Sequence, residues 1–351
     1  GGAVSGFDTI LVIDWSAARR APPTPRKDAI WIGIARDGSA EDPIYCRGRH
    51  EAERWLAECF RTEQDAGRRV LAAFDFPFGY PRGFARRVTG SDDPLKLWDW
   101  LEARVSDSPE GENNRFDVAS EINRLFDTRG PFWGKPFEDR WPDIPYRKAG
   151  IPYDDIAERR AADLAAKASS SCFQLFFNPT VGSQVLTGLP VLARLRRHTQ
   201  AAVWPFEPWH DAGLVLAEIW PGLIEQAVKA ELAQSGAAEI RDRVQVRLLA
   251  QALARLESAE LARMMEDIPE VAKEEAWILG TGHAELLTER ASVGISPPPL
   301  RNDCFALPAG VDWTPVDDAL ALLRKRLSPV TTTETVPLYA ALGRVLAEDV
   351  V

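Results

Sequence analysis

Residues 7–14 (FDTILVID) form an almost unbroken apolar run ending on an acid, the pattern of a strand buried on both faces whose C-terminal end is Asp14. Residues 29–36 (AIWIGIAR) alternate less strictly and follow a turn rich in proline (Pro22, Pro23, Pro25), which predicts a hairpin partner. Residues 43–47 supply a third, shorter strand. Residues 51–66 change to helical spacing through Ala52, Trp55, Leu56 and Cys59. A second buried run, 69–76 (RVLAAFDF), ends at Asp75, and Pro77 breaks it at once. From 81 to 192 the chain is rich in Trp, Phe, Pro, Gly and both charges, with helices expected at 95–104 and 156–168. This stretch reads as an elaboration packed over one end of a sheet, where long insertions either carry ligands or cover the strands. A short strand at 201–205 and a clearer one at 214–220 (LVLAEIW) follow, the latter carrying Glu218 before Pro221. Helices are expected at 223–235, 241–256 and 273–280 (KEEAWILG), the last extending toward Leu287. The prolines at 297–299 mark a boundary, and 316–327 opens a separate amphipathic helix. The order β-β-β-α-β, insertion, β-β-α-α predicts an α/β fold, a mixed sheet flanked by helices.

At 351 residues the chain exceeds one ordinary domain, and an apolar fraction of 45% with 12 tryptophans suffices for a sizeable core. No apolar run approaches the roughly 18–20 residues of a membrane helix, and no signal peptide opens the chain, so a cytoplasmic protein without a membrane partner is expected. Gly1-Gly2 without an initiating methionine has the look of an expression scar or a shortened start, and is set aside. A net charge of −10 disfavours long nucleic acid, because binding driven by counterion release needs a basic field. It leaves room for a small phosphorylated or nucleotide-like ligand held through a metal. Cys46, Cys59, Cys172 and Cys304 show no CxxC pair, and His50, His198, His210 and His283 are dispersed. Buried free thiols are expected, and no zinc site.

Three predicted strands therefore end in acids: Asp14, Asp75 and Glu218. A carboxylate in a doubly buried strand is costly anywhere but at its end, and like charges converging there repel unless a cation neutralises them. Hard oxygen ligands point to Mg²⁺ or Mn²⁺, whose chemistry at such a site is phosphoryl transfer. Each aspartate alone would equally serve as a turn or helix cap. A fourth acid is expected from the late helix at Glu274 or Glu275, where the alternative is a solvated helix start favoured by the dipole. Asp242, in RDRVQVR, reads equally as an N-terminal helix charge. Ser16 offers a hydroxyl to a phosphate or caps its turn. Gly182-Ser183-Gln184 after Pro179 has the composition of a backbone-amide cradle or of an ordinary loop, with Gln174 and Gln184 as polar contacts. Arg194, Arg196 and Arg197 either steer an anion or form a solvated face.

The segments IDWSA (13–17), FDFPFGYP (74–81), NNRFDVASEINR (113–124), GPFWGKP (130–136), FQLFFNPTVGSQVLTGLPVLARLR (173–196), VWPFE (203–207), AEIWP (217–221) and EEAWILG (274–280) together resemble the domain of unknown function 429 family in its longer form. The resemblance covers most of 7–304 and implies a ribonuclease-H-like fold; the family has no settled reaction. It implies that Asp14 is the first-strand acid, Asp75 the acid before the DxP turn, Glu218 the acid before the later proline and Glu275 the final-helix acid. Shorter members often carry Asp-Ala at that last position, where this chain has Glu275-Ala276. The expected organisation is a domain over 3–305, with the elaboration at 81–192, and an appendage over 312–351.

The appendage carries TETVPL and then ALGRVLAEDV, and so resembles the N-terminal start of molybdopterin molybdotransferases, the MoeA family, over some forty residues only. The parts that perform that family's chemistry are absent, and the apolar stripe of the appendage needs a partner, as in a truncated fusion. The expectation is a divalent-metal-dependent hydrolase of a phosphodiester or phosphoanhydride bond. Asp14, Asp75, Glu218 and Glu275 would act as ligands and catalytic groups, and Ser16, Gln174, Ser183 and Gln184 would contact substrate. A link to molybdenum-cofactor biosynthesis, with a pathway protein as partner, follows only from the appendage. The alternative is a non-catalytic accessory that binds molybdopterin or a molybdotransferase. A sugar-kinase-like phosphotransferase would need a nucleotide phosphate loop that the sequence lacks.

Overall fold

The two apolar runs that end on aspartates become neighbouring parallel strands at the centre of a mixed sheet. In chain order the strands are β1 (Thr9–Asp14), β2 (Ile30–Arg36), β3 (Ser39–Ala40), β4 (Ile44–Cys46), β5 (Val70–Phe74), β6 (Ala202–Val203) and β7 (Leu214–Glu218). The sheet runs β3-β2-β1-β5-β7-β6, with β4 also pairing β2. β1 is antiparallel to β2, while β1, β5, β7 and β6 are mutually parallel. The helices are α1 (Arg49–Asp65), α2 (Phe84–Thr89), α3 (Pro94–Glu102), α4 (Arg115–Asn123), α5 (Ala161–Ala165), α6 (Val181–Thr199), α7 (Glu225–Ser235), α8 (Arg241–Ala254), α9 (Ser258–Glu266), α10 (Ala272–Glu275) and α11 (Ala284–Ser292). The expected α/β class is the one the chain adopts. This computed structural model describes residues 6–167, 170–235, 239–292, 320, 323 and 335–337.

Alternate residues of the central strands feed two cores, one on each face, because successive side chains point to opposite sides. Leu11, Ile13, Ala72, Phe74, Leu214 and Leu216 meet α1, α3 and α6 on one face. Ile10, Val12, Leu71, Ala73, Val215 and Ala217 meet α7, α8, α9 and α11 on the other. Helix α8 crosses β2 so closely that a Cβ at Gly33 would lie 2.1 Å from the carbonyl oxygen of Val246; only glycine admits that approach. The elaboration between β5 and β6 holds α2–α6, and its long helix α6 was not expected. The expected helix at 273–280 stops at Glu275. Ala276 turns to φ 70° and the chain extends, with Ile278 bridging to Glu218. The segment near Leu287 forms a separate helix, α11.

The chain divides into two units, Gly1–Gly310 and Val311–Val351. In the second, Leu320 and Leu323 are helical and Thr335–Pro337 have no regular structure. The rest of the 312–351 fragment, the 297–299 boundary and Cys304 lie outside the described residues. Cys46, Cys59 and Cys172 are buried free thiols. Among the described residues no helix is long and apolar enough to cross a membrane.

Candidate functional site

Strand register decides which acids can meet. Ile13 pairs with Phe74, and Phe74 with Glu218, so Glu218 shares a face with Ile13 and Phe74. Asp14 and Asp75 stand one residue further along and point to the opposite, α8-facing side, because a shift of one residue exchanges faces. The ladder continues through the Asp75 amide, which donates to the Ile13 carbonyl at 2.9 Å, and this sets the two aspartates side by side. Among the described residues neither carboxylate accepts a hydrogen bond or joins an ion pair. Burial, then the charges of Asp75, Asp242 and Asp28, push Asp14 well above the usual carboxylate range. Burial, then Glu218 and Asp242, push Asp75 up to about 7.

The third acid on this face is Asp242 in the first turn of α8. Its Oδ2 accepts from the Asp28 amide at 2.7 Å, which fixes the 22–28 turn beside the pair, and burial raises its own pKa. Sequence reading left Asp242 open between an acid of the site and a helix-start charge. The signal that marks it is geometric, since α8 lies over the face to which Asp14 and Asp75 alternate.

Glu218 and Glu275, expected as ligands, have other occupations. Glu218 is 2% exposed and both its oxygens are taken by the Arg160 guanidinium, Oε1 from Nη2 at 2.6 Å and Oε2 from Nη1 at 2.7 Å. Its Oε2 also accepts from the Phe78 amide at 2.9 Å. Arg160, fully buried, forks onto Asp163 as well. Burial still holds Glu218 above its ordinary value against the pull of Arg160. Glu275 accepts from the amides of Arg82 and Ala161, each at 2.7 Å, and Glu274 from Gly83 at 2.8 Å. A Cβ at Gly79 would meet the Glu275 carbonyl oxygen at 2.8 Å. These acids thus clamp the turn that follows Asp75, and tie it to the elaboration through Arg160 and Ala161.

The four residues expected to contact substrate all donate to backbone carbonyls. The Ser16 hydroxyl donates to the Asp28 carbonyl at 3.0 Å and accepts from the Ala18 amide at 3.2 Å. Gln174 Nε2 donates to the Phe177 carbonyl at 2.6 Å, and Gln184 Nε2 to the Trp15 carbonyl at 2.9 Å. Ser183 is buried, donating to the Leu175 carbonyl and accepting from Arg115 Nε. Residues 182–184 are the first turn of α6 rather than an open cradle, and the Gly182 and Gln184 amides are already bonded. Arg194, Arg196 and Arg197 pair with Glu53, Glu207 and Glu102.

Two adjacent carboxylates without protein partners, both held toward the protonated state, form a site that a cation would relieve. Among the described residues no group of three or more His, Cys, Asp or Glu side chains could hold a metal ion. Two carboxylates still fit Mg²⁺, which keeps several waters and commonly takes only one or two protein oxygens beside substrate phosphates. Comparisons with protein-family models, with curated proteins and with solved structures find no match to this chain.

Proposed function

We propose that this protein is a divalent-cation-dependent hydrolase of a phosphodiester or phosphoanhydride bond in a small phosphorylated or nucleotide-like ligand. The observation that carries the reading is the unpartnered Asp14–Asp75 pair at the ends of two adjacent parallel strands. Asp14 and Asp75 would hold Mg²⁺ or Mn²⁺, with Asp242 as a further acid on the same face. When bound, the ion supplies Lewis-acid polarisation of a phosphoryl oxygen and lowers the pKa of water. Without it, burial and the charges of Glu218 and Asp242 hold Asp75 up to about 7. Asp242 and Ser16 hold the 16–28 turn beside the pair, and Glu218, Glu274 and Glu275 hold the 76–83 turn. A sheet with an antiparallel first hairpin followed by parallel strands supports the ribonuclease-H-like reading, and the net charge of −10 supports a small ligand over long nucleic acid.

The test is calorimetric titration with Mn²⁺ together with hydrolysis of nucleotide and dinucleotide substrates. Asp14→Asn and Asp75→Asn are expected to abolish Mn²⁺ binding and turnover. Wild-type protein that binds no Mn²⁺ and hydrolyses none of these substrates would overturn the reading.

A further inference from the structure

A cavity of about 710 Å³ opens between the start of α1, the 105–109 segment and α6, on the face opposite Asp14 and Asp75. Its volume matches that of pockets for small organic ligands. The charges around it are unusual for so acidic a chain. Asp107 in its wall is taken by the buried Arg49 in a two-pronged pair, Nε to Oδ2 at 2.5 Å and Nη2 to Oδ1 at 2.7 Å. Glu53 is taken in the same way by Arg194, at 2.7 and 2.8 Å. Glu51 remains, its Oε2 at 3.4 Å from the Arg47 amide.

Against these three acids stand five guanidiniums: Arg20, Arg54 and Arg194 in the lining, and Arg49 and Arg115 behind it. Arg20 and Arg54 are exposed and have no carboxylate partner among the described residues. Arg115 is largely buried and bonds only the neutral Ser183 and Asn113 side chains; burial and the neighbouring Arg49 lower its pKa to about 10. The lining alone is balanced, three arginines against three acids, and Arg49 and Arg115 behind it tip the local charge positive. Low-dielectric walls concentrate such a field on an incoming anion, and planar guanidiniums match phosphate oxygens two at a time. Val105, Pro109, Pro190 and Ala57 also line it, beside Gly48, His50 and Thr187, and offer an apolar surface to the organic part of a ligand.

We propose that this cavity is a second site, which binds a small phosphate monoester through Arg20 and Arg54 without a divalent cation and independently of Asp14 and Asp75. It stands apart from the proposed hydrolase reading and survives if that reading fails.

The experiment is titration of the full chain, in excess EDTA, with adenosine monophosphate, inorganic phosphate and adenosine, followed by calorimetry. Adenosine monophosphate and phosphate are expected to bind, and adenosine not to bind detectably. Arg20→Glu and Arg54→Glu, both at exposed positions without ion pairs, are expected to keep the wild-type thermal midpoint and to weaken binding about tenfold or more. Asp14→Asn and Asp75→Asn are expected to bind as wild type does. The proposal is overturned by absence of phosphate and nucleotide binding up to on the order of 10 mM, by equal binding of adenosine, or by indifference to both arginine reversals. Loss of binding in Asp14→Asn would assign the anion to the carboxylate site instead and overturn it equally.

Discussion

Asp14 and Asp75 are ordinary carboxylic acids placed where ionisation is expensive, and this has a definite sign. In the unfolded chain each titrates near 3.8, whereas in the folded chain burial holds Asp75 up to about 7 and Asp14 well above its ordinary value. Between those values the folded state binds more protons than the unfolded state. These groups therefore favour the fold at low pH, and that contribution is lost as pH rises through the folded pKa. In EDTA, Asp75→Asn is expected to gain stability relative to wild type between about pH 5 and about pH 7.5, read from urea midpoints. A difference that stays flat over that range would contradict the assignment. Arg160 gives the opposite case. Its removal leaves Glu218 and Asp163 buried without a counter-charge, so Arg160→Met is expected to cost about 3–5 kcal/mol. Glu218→Gln keeps an acceptor for Phe78 and should retain Mn²⁺ binding, which separates a positioning acid from a ligand.

At the scale of elements, backbone approach and backbone strain make separate predictions. Gly33→Ala would force α8 off β2, because the new methyl has 2.1 Å to the Val246 carbonyl; a loss of about 3 kcal/mol or more is expected in urea unfolding. Ala276 sits at φ 70° and ψ 177°, a region that favours glycine and costs about 1–3 kcal/mol for other residues. Against that stand roughly 0.8 kcal/mol for its buried methyl and a glycine entropy term of about 0.5–1 kcal/mol. Ala276→Gly is therefore expected not to lower the urea midpoint, whereas Ala73→Gly in β5 should lower it. Six of the seven strands were legible because each is a short apolar run closed by an acid or a turn; β3, the two-residue Ser39–Ala40 with no apolar run, was not. Helix α6 was not, since twelve of its residues are buried and it contains Gly182, Gly188 and Pro190, which erases the one-sided stripe. The late helix was overread because KEEAWILG has helical composition, while Ala276 leaves the helical region and Ile278 makes a single bridge to Glu218. For the site, the strand-end aspartates were visible in the sequence. The phase of β7 against β5 was not, and that phase sends Glu218 to the opposite face.

For the whole molecule, both cores, the carboxylate pair, its clamps and the arginine-lined cavity all fall within Gly1–Gly310. Each central strand finds its neighbours inside that unit, and none of the hydrogen bonds described around Asp14, Asp75, Glu218 or Glu275 uses a residue beyond it. Stability gained from a ligand depends only on its affinity for the folded state and its concentration. A chain ending at Gly310 should therefore show the same Mn²⁺-induced rise in thermal midpoint as the full chain, and the same fall in that rise on Asp75→Asn. Both chains would be followed by calorimetric unfolding with Mn²⁺ and with EDTA. A shortened chain that remains folded but loses the Mn²⁺ shift would contradict the placement of the whole site within Gly1–Gly310.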